Sequence, residues 1–155
     1  MKFFILTLIT LAISCQATKI KSEHRLPSYE LTIKEQLSDS SSGYTYKLVD
    51  WELDVVGSRS NNVNRKKSRI LFSKKVKALA AKKEVASAIG ELILLDTVFH
   101  GYVIGDNFGH MITIKMPDKA PKVIHITNER VEEAQALFSL LNTFIKREKL
   151  KIYIW

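Results

Sequence analysis

"HMITIKMPDKAPKVIHITNERVEEAQALFSLLNTFIKR" (110–147) decides the fold. In its first half Ile112, Ile114 and Met116 share one parity, as do Ile124 and Ile126 beyond "PDKAP". Alternation of period two marks a strand with one buried face, and two such runs around a Pro-Asp turn predict a hairpin of 110–116 with 122–126. The period then changes. Val131, Ala134, Leu137, Phe138, Leu141 and Ile145 recur at steps of three and four, the buried stripe of a helix. Asn128 stands at the N-cap position. Glu129, Glu132 and Glu133 crowd its start and Lys146, Arg147 and Lys149 its end, as the helix dipole favours.

Working outward, Tyr29, Leu31 and Ile33 alternate with Glu30, Thr32 and Lys34, another half-buried strand closed by the turn "SDSSSG" (38–43). A further alternation begins at Tyr44, Tyr46 and Leu48 and changes phase to Val49, Trp51, Leu53 and Val55, which implies a bulge or tight corner near 48–49. "GSRSNNVNRKKS" (57–68) is polar throughout and predicts an exposed loop, with "RILF" (69–72) a short strand or helix lead-in. Val85, Ala86, Ile89, Leu92 and Ile93 give a second helix face, starting somewhere in 73–80. "KLKIYIW" (149–155) reads as a closing strand. Together these predict an α+β domain over 29–155: an antiparallel sheet of about five strands with two helices packed on it.

Before that domain, one lysine (Lys2) precedes an apolar run over 3–13 that is too short for a membrane-crossing helix, so 1–14 reads as a signal peptide. "LAISC" (11–15), with small or aliphatic residues before the chain's single cysteine, resembles the lipobox of bacterial lipoproteins. The resemblance covers residues 1–15 only. It departs from the commonest form in having Ala12 where leucine is usual. It implies cleavage before Cys15, a palmitate-type lipid anchor on that cysteine, and a membrane-attached protein of the cell envelope facing the periplasm. The other reading of the leader is an ordinary secretory signal cut after Ala17, which would discard Cys15. Under either reading no disulfide forms within the domain. Residues 15–28 then form the lipidated cysteine and a flexible tether, whose thirteen residues past the cysteine reach about 20 Å root-mean-square.

Charge is localised. The chain holds 24 basic and 16 acidic side chains, net +8. No acidic residue lies between Asp54 and Glu84, while Arg59, Arg65, Lys66, Lys67, Arg69, Lys74, Lys75, Lys77, Lys82 and Lys83 fall there. One cationic patch of this kind suits an acidic envelope protein, or an anionic lipid or polysaccharide surface. Nucleic acid is disfavoured by the export signal and by the scarcity of aromatic residues in the patch. The plain alternative is a solvated face that aids solubility.

Four histidines, His24, His100, His110 and His125, raise the question of a metal. A turn centred on Lys119 would pair residues whose numbers sum to about 238, setting His125 opposite Thr113 and on the face away from His110. That parity argues against a shared metal site, and no metal or other cofactor is expected. No nucleophile elbow or spare cysteine is present. "GDNFGH" (105–110) is the most enzyme-like fragment, because a carboxylate such as Asp106 can orient an imidazole such as His110. The aromatic residues Tyr44, Tyr46, Trp51, Tyr153 and Trp155 fall at strand spacing, with the closing strand a possible edge for a partner. The sequence thus predicts a lipid-anchored, non-enzymatic binding module for another envelope protein. An envelope hydrolase with a site near Asp106 and His110 is the alternative.

Overall fold

A computed structural model describes residues 26–37, 43–60, 66–101 and 108–154. Among them β1 (Glu30–Leu37), β2 (Tyr44–Val49), β3 (Glu52–Ser60), β4 (Lys66–Lys75), β5 (Val98–His100), β6 (Phe108–Lys115) and β7 (Lys122–Thr127) form one sheet in the order β4-β3-β2-β1-β6-β7-β5. Helices α1 (Leu79–Leu94) and α2 (Glu132–Phe144) pack on one face of it. The α+β class expected from the sequence stands. The finer expectation of about five antiparallel strands does not: the sheet has seven and is mixed, since β5 lies parallel to β7.

The extra strands have physical causes. α1 leaves the sheet edge at β4 and delivers the chain to β5 at the opposite edge. Sixteen helical residues rise about 24 Å, close to the roughly 29 Å of six strand spacings. Counted through the sheet, β5 runs antiparallel to β4, the strand α1 leaves, and parallel to β7. β3 and β4 extend into the polar 57–68 stretch, pairing as far as Ser60 with Lys66, so part of the expected loop is a hairpin arm. Period two vanishes there because alternation appears only where one face is covered.

The change of phase after Leu48 is a two-residue hairpin turn. Asp50 (φ 48°) and Trp51 (φ 64°) both sit in the left-handed region, the combination that matches strand twist in a β2–β3 hairpin. Tryptophan there is strained by roughly 1 kcal/mol. The Trp51 carbonyl accepts the Val76 N–H at 2.7 Å, and its ring lies 5.6 Å from the Lys82 ammonium.

The core lies between sheet and helices: Leu31 and Ile33 from β1, Leu53 and Val55 from β3, Ile112 and Ile124 from the β6–β7 hairpin, against Val85, Ile89, Leu137 and Phe138. The observed β6–β7 register pairs Met111 with His125, two residues away from the expected sum but with parity preserved. His110 and His125 therefore point to opposite faces, as expected.

Two other expectations are corrected. Asn128 is not the helix cap; α2 starts after Val131 with no side-chain cap. Instead Asn128 adopts φ 51°, accepts the Phe108 N–H on its Oδ1 (3.0 Å) and donates its own N–H to the Phe108 carbonyl (3.0 Å), fastening β6 to the end of β7. The chain end is not a strand. After a 3-10 turn (Glu148–Leu150), residues 151–154 run extended without a ladder partner. Asn142 of α2 substitutes for one: its Oδ1 accepts the Ile152 N–H (2.7 Å) and its Nδ2 donates to the Ile152 carbonyl (2.8 Å).

Candidate functional site

β4, the α1 start and the α2 end converge on a groove of about 420 Å³ lined by Lys74, Lys75, Val76, Lys77, Ala78, Ala81 and Phe144. Its construction follows from the strand. Lys74 pairs in register with the buried Leu53 and so turns to the helix side, where its ammonium stands 5.7 Å from the Phe144 ring. Lys75 and Lys77 are exposed. Phe144, Ala78 and Ala81 supply the apolar lining, with the Lys74 ammonium over the Phe144 ring; Lys75, in register with Glu52, turns its side chain to the other face of the strand.

Glu52 stands across the register from Lys75, and Lys74 and Lys77 have no carboxylate within ion-pair distance among the described residues. Among the described residues the ion pairs are Lys115–Glu30, Arg130–Glu132 and Lys151–Glu148, and none involves a groove lysine. α1 begins after Ala78 with no side-chain cap and no acidic residue in its first turn, so its first amides and Lys82 and Lys83 add to the positive field. Such a groove suits an anion that also carries an apolar group, since the floor rewards burial and the rim rewards charge.

Of the other basic residues singled out from the sequence, Arg69 is exposed on β4 opposite Gly57. Arg59, Lys66 and Lys67 lie in the β3–β4 arm by their backbones, with side chains outside the described set. Arg65, Asp106 and Cys15 lie outside the described residues. The structure thus gathers Lys74, Lys75 and Lys77 into one feature with Lys82 and Lys83 beside it, and places Arg69 farther along the same strand.

A second cluster lies under the sheet and was not anticipated. Glu35 falls in phase with Leu31 and Ile33, so its side chain turns inward; its carboxylate accepts the Tyr44 N–H (3.1 Å) and the Tyr46 hydroxyl (2.9 Å). Burial pushes the Glu35 carboxyl above its usual range, opposed by hydrogen bonds from Tyr44, Tyr46 and Tyr153. Burial, and the nearby Glu35 charge, also hold the Tyr46 hydroxyl protonated. That hydroxyl reaches the Lys151 carbonyl as well, at 3.2 Å. One proton serves two acceptors, and protonation of Glu35 releases it to Lys151. The parity that carries Glu35 inward was legible in the sequence.

Opposite Glu35 in register is His110, fully buried, with neither ring nitrogen hydrogen-bonded among the described residues. Its ring stands 5.1 Å from Phe108, edge-on, and 4.6 Å from Phe138. Burial lowers its pKa to about 4. The imidazole is thus neutral and packed against two phenyl rings. The glycines nearby have a backbone role: a Cβ at Gly101 would strike the Asn128 carbonyl, and one at Gly109 the Ile126 carbonyl. Among the described residues no three His, Cys, Asp or Glu side chains gather as metal ligands, and no helix is long and apolar enough to cross a membrane.

Comparison of the chain with protein-family models, with curated proteins and with solved structures returned no match.

Proposed function

We propose that this chain is a lipid-anchored protein of the bacterial cell envelope, facing the periplasm, that acts by binding an acidic partner protein at the Lys74–Lys75–Lys77 groove. The observation that carries the binding reading is the groove itself: three lysines at its mouth, none in an ion pair among the described residues, next to an apolar lining over which Lys74 lies. Unneutralised like charges held together oppose the compact fold, and an acidic ligand relieves them. The anchor rests on the lipobox-like "LAISC" before Cys15. The groove and the anchor are separable and are tested separately.

A photo-crosslinking residue at position 77 should give an envelope-protein adduct that weakens in high salt and disappears when Lys74 and Lys75 are both changed to Glu. An adduct indifferent to both treatments overturns the charge-led reading. Labelled palmitate should enter the wild type and not Cys15→Ala; equal labelling, or none in either, removes the anchor.

A further inference from the structure

β4 is the longest strand of the sheet at ten residues and stands at its edge, so among the described residues its outer side carries no ladder. The opposite edge strand, β5, has three residues. Alternate residues of an edge strand turn their N–H and C=O groups away from the sheet, a template for one more strand. The sequence of β4 is patterned: Lys66, Lys67 and Arg69 precede Ile70, Leu71 and Phe72, and Lys74 and Lys75 follow. Ile70 is 57% exposed in the middle of this edge.

We infer that the β4 edge accepts an extended segment of the acidic partner as an eighth strand, apolar at its centre and acidic at both ends, whose end at Lys75 enters the lysine groove. This deepens the reading above and rests on it. The groove is lined by Lys74 and Lys75 themselves, so it opens where β4 ends. Charge selects the occupant. A second copy of β4, laid on in either direction, would bring basic ends against basic ends, which repels. An acid-ended strand meets attraction at both ends, and ladder bonds supply the rest.

The test is residue-resolved amide hydrogen exchange on the full chain, with a synthetic glutamate peptide (central valines flanked by glutamates), its lysine-flanked counterpart, and phosphatidylglycerol vesicles as probes. The glutamate peptide should slow exchange of the outward amides within 68–75 by roughly tenfold or more, and raised salt should reverse this. The lysine peptide should do nothing. Ile70→Glu should weaken the effect, leaving the groove lysines in place. Protection confined to 77–82 would overturn the added strand and leave the groove reading standing. No response to the glutamate peptide anywhere would overturn both. A response to the vesicles but not the peptide would replace the protein partner with a membrane surface, and overturn both in that way.

Discussion

Replacing His110 with Leu removes a buried base from the core and should make the domain less sensitive to acid. His110 has no measurable exposure, and its pKa falls from 6.5 to about 4 because burial penalises the imidazolium. The fold therefore favours the neutral ring. Stability from that preference is complete above pH 6.5 and is lost as pH falls from 6.5 towards 4. At 1.36 kcal/mol per unit, lowering the pH from about 7.5 to about 5 costs the wild type about 2 kcal/mol through this residue, and about 3 kcal/mol once pH is below 4. Glu35, the group facing His110 from β1, works in the opposite sense: its raised pKa adds stability as pH falls and withdraws it as pH rises. Present in both proteins, it cancels in their difference. Among the described residues, Ile126 opposite it on β7, Phe138 of α2 and Phe108 also adjoin the ring, and none carries charge. At pH 7.5 the variant should be at least as stable as the wild type, since two unsatisfied ring nitrogens, worth about 1–3 kcal/mol, are gone. Urea unfolding at both pH values measures this. Equal losses in the two proteins on acidification would refute the account of His110.

Charge reversal at the exposed positions, Lys75→Glu with Lys77→Glu, should leave the unfolding free energy within about 0.5 kcal/mol of wild type while weakening any acidic ligand; a large loss of stability would show that the lysines hold the fold. Asn142→Ala strands the Ile152 N–H and carbonyl, which should cost about 2 kcal/mol and open the chain end to proteolysis after Lys151. Tyr46→Phe withdraws a donor from Glu35. Its cost, about 1–2 kcal/mol, should be greatest at high pH, where the carboxylate is charged, and shrink in acid as the two pH-stability curves converge. Because Trp51 has a left-handed backbone, Trp51→Gly should be about 1 kcal/mol more stable than Trp51→Ala in parallel denaturation curves, whatever the shared loss of the ring.

The 110–147 stretch was readable because both of its periods are imposed by one packed face, and its hairpin and helix appear within a few residues of the expected bounds. The distal β3–β4 arm was hidden for the converse reason: uncovered strands leave no alternation, and Asn- and Lys-rich sequence then resembles a loop. β5 is too short to carry a period, and its place is set by where α1 ends. "KLKIYIW" alternates as a strand does, yet its backbone bonds go to side chains, Ile152 to Asn142, Lys151 to Tyr46 and Tyr153 to Glu35, long-range partners that no local pattern encodes. Likewise the basic run was visible as composition, but the placement of Lys74 over Phe144 at the mouth of the groove depends on a β4 register and a helix end seventy residues apart in the chain.

β1 lies in the middle of the sheet, flanked by antiparallel β2 and β6, and it is the strand at which the chain enters the domain from residue 29. Ladder bonds run perpendicular to the strands. A pull along that entering chain, resisted at the far edge, therefore loads both ladders of β1 in shear, with many bonds sharing the force at once. Had the entering strand been at an edge and pulled sideways, the same force would break bonds singly, as a zipper opens. With the anchor proposed at Cys15, the strand order would load the domain where it yields last.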